Sequence, residues 1–176
     1  MLKPGGTTEI RAVPWGAPEA VGLRREFTEQ SDLRLYPLLF GHLASRPAWD
    51  ADDAATGRAV LLTLVADVDG RPAGHAALRT PEVGAPEGAL EVTRVFVRAG
   101  ARRRGVASML LAHLVGTARD RGAKSLVLGT GPSQPEAIAT YRRHGFRPVE
   151  PYPPYDRFSA PPYDMYGPAL CFAKPL

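Results

Sequence analysis

The sequence predicts an α/β fold in a single domain over residues 1–176, and three observations carry this prediction. A strand-like segment at 90–97 runs through a basic loop into an apolar-faced helix. Two more strand-like segments, 60–66 and 73–79, flank the turn 67–70 and predict a hairpin. A chain of 176 residues usually forms one domain with an adequate core.

The N-terminal third predicts one strand followed by helices. Residues 8–13 alternate and end before a proline, which is typical of a short strand. Helical sequence then runs over 17–46, with a break near 31–32. The strongly apolar segment after this break could form the wall of a substrate pocket. Residues 47–56 are predicted to form a loop.

The loop after the 90–97 strand has the features of a phosphate-binding site. Arg102, Arg103 and Arg104 supply positive charge, and Gly105 lets backbone and ligand approach closely. The following helix begins near Ala107, and a helix N-terminus offers unpaired backbone N–H groups. The apolar positions of this helix recur at spacings of three and four, and they are Leu110, Leu111, Leu114, Val115 and Ala118.

Two other interpretations of the arginine run are a solvated charge cluster and a nucleic-acid contact. The chain has an excess of only four positive charges, and no aromatic residues interleave with the arginines. A small anionic ligand is therefore favoured over nucleic acid. The loop also lacks the Gly-Lys-Ser/Thr ending of nucleotide triphosphatases.

A second helix is predicted at 134–144. Ser133 and Glu136 have the spacing of a capping box, and Gly145 follows the last turn. Ala137 and Tyr141 lie four apart on one face, so that the small residue leaves room for a ligand beside the phenol. The alternative is that Tyr141 is a core aromatic residue.

These two segments together resemble the GNAT superfamily of N-acetyltransferases over roughly residues 58–150. The first GNAT motif is matched by Arg102, Gly105 and Ala107, within a cofactor motif at 90–121. The second motif, within 124–146, is matched by Gln134, Ala137, Tyr141, Gly145 and Phe146. The resemblance implies a mixed, mostly antiparallel sheet flanked by helices and splayed to admit acyl-coenzyme A.

The resemblance implies transfer of the acetyl group of acetyl-coenzyme A (acetyl-CoA) to a primary amine of a small molecule or peptide, without a metal. Tyr141 would then protonate the departing thiolate. Glu91 is the candidate base, acting through water; the alternative is an ion pair with Arg79 or Arg94. Glu82, Glu87 and His75 remain open as other candidates for the base. The residues expected to bind acetyl-CoA are Val95, Phe96, Val97, Arg102, Arg103, Arg104, Gly105, Val106, Ala107, Ser108, Gln134 and Ala137.

Two departures from the family pattern concern the site. Gln134 stands where asparagine is commoner, and Gly129 stands where relatives often carry glutamate. The second departure removes a possible acidic contact to the substrate or the base. A different class of function is also open, namely an acyl-CoA binding or sensing module that keeps the anion-binding loop without efficient turnover. The four histidines show no zinc-ligand spacing, so no metal site is expected.

The remaining features concern location and partners. The sequence has no segment of bilayer length and no apolar signal at its start, which favours the cytoplasm and no membrane partner. No nucleic-acid partner is expected, and the protein is expected to be a monomer or homodimer. Cys171 is expected to be a buried, reduced thiol.

The Pro- and Tyr-rich segment 151–168 could cover the acceptor site, contact a second subunit or form a surface excursion. Residues 169–174 should pair with 146–149 in the sheet.

Overall fold

A seven-stranded sheet forms the centre of the molecule. The computed structural model describes residues 7–176. The strands are β1 (Thr8–Val13), β2 (Val60–Val68), β3 (Arg71–Arg79), β4 (Ala89–Val97), β5 (Ser125–Thr130), β6 (Arg147–Val149) and β7 (Leu170–Pro175), in the order β1-β2-β3-β4-β5-β7-β6. Only the β4–β5 pair is parallel among the described strands. The predicted mixed, mostly antiparallel sheet is therefore confirmed.

The individual strand predictions hold, with longer ends than expected. β1 has the predicted bounds, and the hairpin β2–β3 turns at Asp69 and Gly70, which have φ values of 53° and 75°. The predicted pairing of the last strand is also confirmed, since Arg147 pairs with Ala173 and Val149 with Cys171. Cys171 is buried and free, and burial raises its pKa to about 11.

The region between β1 and β2 is helical throughout most of its length. It contains α1 (Pro18–Phe27), a π-helix (Thr28–Asp32), α2 (Leu33–Leu35), α3 (Pro37–Phe40), a 3-10 turn (Gly41–Ala44) and α4 (Arg46–Gly57). The predicted break near 31–32 coincides with the end of the π-helix.

The prediction of a loop at 47–56 is wrong, because this segment is α4. The Ser45 hydroxyl caps the helix by accepting from the Ala48 N–H at 3.4 Å, and a proline lies in the first turn. Trp49 is the buried residue of α4, and its indole N–H donates to the Thr28 hydroxyl at 3.0 Å. Since Trp49 is the one buried apolar residue of α4, the sequence of this helix has no apolar repeat to predict it.

Helices cover both faces of the sheet. α5 (Val106–Asp120) packs on one face through its predicted apolar positions. Gly74 of β3 permits this contact, because a Cβ there would lie 2.9 Å from the Val106 side chain. On the other face, Ala20 and Leu23 of α1 pack against Val65 and Phe96 of the sheet.

The sixth helix, α6 (Pro135–Arg143), begins one residue later than predicted. The predicted capping box is wrong, because Gln134 occupies the N-cap position and no side chain caps the helix. Ser133 instead donates its backbone N–H to the Tyr36 hydroxyl at 3.0 Å. The start of α6 is therefore fixed by the helical region that follows β1.

Residues 7–176 form neither a membrane-spanning helix nor a cluster of metal ligands. None of the helices formed by these residues combines the length and apolar character needed to cross a membrane. The same residues contain no group of three or more His, Cys, Asp or Glu side chains arranged to hold a metal ion.

Candidate active site

The sheet opens between β4 and β5, which are the one parallel pair among the described strands. β4 pairs with β5 only at Ala89, Leu90 and Glu91, while β5 continues to Thr130 paired with β7. A cavity of about 260 Å³ lies at this opening. Its wall includes seven aromatic residues from outside the sheet, namely Phe27, Tyr36, Phe40, Tyr141, Tyr155, Phe158 and Tyr166.

A β-bulge in β4 lies beside the cavity. His75 pairs with Phe96 and Ala77 with Thr93, so that two residues of β4 stand opposite one residue of β3. Arg94 is one of the two bulged residues, and its backbone adopts a left-handed conformation with φ of 53°. The bulge changes which residues face each side of the sheet, and Val95 lines the cavity.

A buried polar chain holds the carbonyl of the bulge residue. The Arg94 carbonyl lies 2.8 Å from His75 Nδ1, and because a carbonyl only accepts, Nδ1 carries the proton. Burial lowers the pKa of His75 to about 4, so the ring is neutral and its Nε2 can accept from Arg24 Nη1 at 3.4 Å. Arg24 also donates to both carboxylate oxygens of Asp53, at 2.7 and 2.8 Å. α1 and α4 therefore fix the bulge from beneath.

The loop before α5 offers unpaired backbone donors. Gly105 has φ of 77° and precedes the first helical residue, and the first helical hydrogen bond runs from the Met109 N–H to the Gly105 carbonyl at 3.0 Å. The N–H groups of Val106, Ala107 and Ser108 therefore have no acceptor within the helix, and no side chain caps them. A Cβ added at Gly105 would meet no atom within 4 Å, so the approach to these donors is open.

The three arginines of this loop have different surroundings. Arg104 pairs with Asp69 at 2.9 Å, and Arg102 donates to the Val97 carbonyl at 3.0 Å. Arg103 is exposed and forms no ion pair within residues 7–176. Of the three side chains, that of Arg103 is therefore the most available to bind a ligand.

Tyr141 lies on α6 with its ring in the core, and it also lines the cavity. The ring packs against Phe146 and Phe172, with centroids 5.9 and 6.5 Å away. Burial raises the pKa of Tyr141 to about 12, so the hydroxyl keeps its proton at neutral pH. No partner for this hydroxyl is present among the described residues, although Tyr141 lines the cavity. Tyr141 is therefore both a core aromatic residue and a residue that a ligand in the cavity can contact.

Glu91 lies behind the cavity wall. It is fully buried, and one oxygen accepts from Arg79 Nη2 at 2.9 Å and from the Tyr155 hydroxyl at 2.5 Å. Its second oxygen has no partner in the described part of the chain. Arg79 and Tyr155 both line the cavity, whereas Glu91 does not. Of the two ion-pair partners considered from the sequence, the structure contains the pair with Arg79.

The tyrosine that contacts Glu91 explains the glycine at position 129. A Cβ at Gly129 would lie 2.4 Å from the Tyr155 ring, so a larger residue would displace that ring. Tyr155 belongs to the segment 151–168, and other residues of the same segment, including Phe158 and Tyr166, also line the cavity.

The remaining predicted contacts fall around the same opening. Gln134 lines the cavity, accepting from the Thr130 hydroxyl at 2.6 Å and donating to the Ser31 hydroxyl at 2.5 Å. Ala137 packs on the main core beside it. The Ser108 hydroxyl lies 2.8 Å from His144 Nε2. The side chain of Phe96 points to the α1 face, so that only its backbone faces the opening of the sheet.

Sequence reasoning missed one carboxylate that borders the cavity. Asp32 ends the π-helix, and burial raises its pKa to about 6. Tyr36 and Tyr166 were also missed; the Tyr166 hydroxyl accepts from the Leu38 N–H at 3.0 Å and ties the C-terminal segment to α3. The helix break near 31–32 was a signal for Asp32, but a π-turn has no sequence signature of its own.

Comparison with known proteins agrees with this geometry. The Acetyltransferase (GNAT) family model matches residues 23–146, and the chain therefore belongs to the GNAT acetyltransferase family and is an acyltransferase. An "IAA acetyltransferase" of Azospirillum brasilense is 40% identical over 65 residues, which are 37% of this chain and 42% of that relative. The aligned part thus spans about two-fifths of the curated relative's length.

Solved structures share the fold over nearly the whole chain. An IAA acetyltransferase from Bacillus cereus is 21% identical with a TM-score of 0.67, covering 97% of this chain and 100% of that one. A GNAT family acetyltransferase from Elizabethkingia anophelis with acetyl-CoA bound is 18% identical with a TM-score of 0.63, covering 96% and 98%. At these identities the comparison establishes the fold.

Proposed function

We propose that this protein transfers the acetyl group of acetyl-CoA directly to a primary amine of a small molecule or peptide. The observation that carries the proposal is the cavity between β4 and β5, which both Tyr141 and the bulge residue Val95 line. The loop before α5 adds a site for phosphate groups. The presence of acetyl-CoA in a relative of the same fold supports the choice of donor.

The donor would bind from the α5 loop to the bulge. Its diphosphate fits the N–H groups of Val106, Ala107 and Ser108, with Arg103 as the side chain available for a phosphate oxygen. Gly105 keeps the approach open. The pantetheine arm would run along the unpaired edge of β4 at 95–97, between that edge and Gln134 and Ala137 of the second motif.

The chain's own groups then account for the chemistry of transfer. Acetyl-CoA supplies an activated thioester. A backbone N–H at Val95 would stabilise the negative charge that develops on the thioester oxygen, because the bulge is held rigidly from beneath. As the amine nitrogen bonds to the acetyl carbon and the carbon–sulfur bond breaks, the Tyr141 hydroxyl would give its proton to sulfur. Glu91, the base expected from the sequence, is separated from the cavity by Arg79 and the Tyr155 hydroxyl and has no direct contact with an amine there.

Calorimetric titration with acetyl-CoA and CoA, followed by thiol release with a panel of amines, tests this proposal. Binding of both nucleotides and amine-dependent thiol release are expected. Binding without release for every amine would instead support a sensing module. No binding of either nucleotide at millimolar concentration would overturn the proposal.

Gly105→Ala is expected to raise the Kd for CoA at least about tenfold, equivalent to about 1.4 kcal/mol. The added methyl group would lie on the open surface over which the diphosphate approaches the α5 donors. The left-handed conformation of Gly105 adds a stability cost of about 1 kcal/mol for alanine. Calorimetry measures the change in Kd.

Gly122→Ala is the matched control for Gly105→Ala. Gly122 has φ of 73° and open space around its Cβ, but it follows the other end of α5. We expect a similar loss of stability with no change in the Kd for CoA. Equal Kd values for the two variants would remove the α5 loop from the binding site.

A further inference from the structure

We propose that Asp32 takes the proton from the acceptor amine, and that this acceptor is a small amine with a flat apolar body. The inference rests on the proposed acetyl transfer and adds to it a base and a class of acceptor.

Asp32 is placed in the cavity by the π-helix that links α1 to α2. It is the one acidic residue among the described residues that line the cavity, and its side chain is 11% exposed. Its Oδ2 lies 3.3 Å from Arg94 Nη1, a long contact for an ion pair. A carboxylate that faces a substrate cavity with weak pairing can accept a hydrogen bond from an ammonium group.

The basic partner of Asp32 is directed mainly to another carboxylate. Arg94 Nη2 donates to Asp52 of α4 at 2.9 Å, shorter than the Arg94–Asp32 contact. Asp52 does not line the cavity, and its side chain is 42% exposed. Arg94 is thus neutralised from the α4 side, which leaves Asp32 with capacity for a second positive group.

The charged and titratable groups around Asp32 suit a base at neutral pH. Burial raises its pKa to about 6, Asp52 adds to the rise, and Arg94 opposes it. The Tyr36 hydroxyl is the titratable group that faces it from the segment after the π-helix. Two further arginines line the same cavity: Arg79, which is paired with Glu91, and Arg157, whose guanidinium lies 5.3 Å from the Phe158 ring centroid. Asp32 is therefore ionised above about pH 6 and protonated below it, so that its activity as a base falls as the pH drops through 6.

Glu91 lacks this access. It is fully buried and already accepts from Arg79 and Tyr155, both of which stand between it and the cavity. An amine in the cavity can therefore reach Asp32 directly, whereas it can reach Glu91 only through the Tyr155 hydroxyl.

The rest of the cavity indicates the body of the acceptor. Tyr36 packs edge-to-face with Tyr166 at 5.4 Å and with Phe40 at 6.3 Å, and Phe27 and Phe158 add further rings. Such aromatic walls favour flat apolar groups, and the face of an aromatic ring attracts a cationic group that lies over it. The volume of about 260 Å³ lies below the roughly 300–1,000 Å³ of sites for drug-sized ligands. The acceptor should therefore be compact.

The proton balance of the step is complete with these groups. The acceptor arrives as R–NH₃⁺ and gives one proton to Asp32, which releases it to solvent after the product leaves. The nitrogen lone pair forms the carbon–nitrogen bond as the carbon–sulfur bond breaks. Sulfur takes the Tyr141 proton, and the second proton lost by nitrogen restores the Tyr141 hydroxyl.

The test compares Asp32→Asn with Asp52→Asn, using 2-phenylethylamine as the acceptor over pH 5–9. Asp32→Asn should lower kcat/KM about 100-fold at pH 7 and abolish the acid limb near pH 6, with the Kd for acetyl-CoA unchanged. The fall should diminish at high pH, where the amine itself is neutral. Asp52→Asn should keep the acid limb and move it to lower pH, because Asp52 raises the pKa of Asp32. Asp32→Glu keeps a carboxylate and should therefore retain part of the acid limb of the pH profile.

Three results would overturn the inference. Equal losses in Asp32→Asn and Asp52→Asn would show that Asp32 only neutralises Arg94. An unchanged pH profile in Asp32→Asn would remove it as the base. Acetylation of aliphatic or peptide amines by the wild type without acetylation of 2-phenylethylamine would refute the acceptor class. A wild type that fails to bind acetyl-CoA would refute the proposed function instead.

Discussion

Tyr141→Phe is expected to lower kcat by about 100-fold and to leave the Kd for acetyl-CoA unchanged. The ring would keep its contacts with Phe146 and Phe172, so the site should retain its shape. What is lost is a hydroxyl whose pKa of about 12 keeps it protonated at neutral pH, and with it the proton for the departing sulfur. Steady-state turnover and calorimetry on one preparation measure the two effects.

Tyr152→Phe provides the control for Tyr141→Phe. Tyr152 is also buried, and its hydroxyl has no partner in the described part of the chain, but it does not line the cavity. We expect wild-type kcat for this variant. Full activity in Tyr141→Phe, or equal losses in both variants, would return Tyr141 to a purely structural role.

Arg24→Ala is expected to lower the free energy of unfolding by about 3–5 kcal/mol. The Arg24 side chain is 1% exposed, and its removal leaves the Asp53 carboxylate without its two charged hydrogen bonds. It also removes the donor to His75 Nε2 and the packing of the guanidinium on Trp15 at 3.5 Å. Urea unfolding at pH 7 measures the difference.

An exposed ion pair of α4 supplies the comparison for Arg24→Ala. Arg46 pairs with Asp50 at 2.7 Å, but the two side chains are 72% and 50% exposed. Arg46→Ala should therefore cost less than about 1 kcal/mol. If Arg24→Ala also lowered the free energy of unfolding by less than about 1 kcal/mol, the polar chain of Arg24, Asp53 and His75 would not be what stabilises the bulge.

The parts of the fold that were predictable from sequence are those set by nearby residues. The loop of arginines, Gly105 and the apolar face of α5 form one continuous segment, and their spacing alone predicts a strand, a loop and a helix. The helix bearing Tyr141 is similarly local, although its start was misplaced by one residue. There the Ser133 N–H bonds to Tyr36, a residue distant in the sequence.

The parts that were not predictable depend on contacts between distant segments. The sequence predicts Glu91 only as a carboxylate on a strand, but in the structure its side chain accepts a hydrogen bond from the distant Tyr155. The Tyr155 ring fits there only because position 129 is glycine. α4 is held by one tryptophan and a buried Asp53–Arg24 pair, neither of which produces a helical repeat. Asp32 becomes a cavity residue only because a π-turn and the approach of Arg94 bury it.

Mass spectrometry of acceptor and enzyme after turnover with acetyl-CoA tests the central claim most directly. Direct transfer predicts one acetylated amine for each thiol released, with the mass of the protein unchanged. Thiol release without an acetylated amine, or an acetyl group retained on the protein, would contradict it.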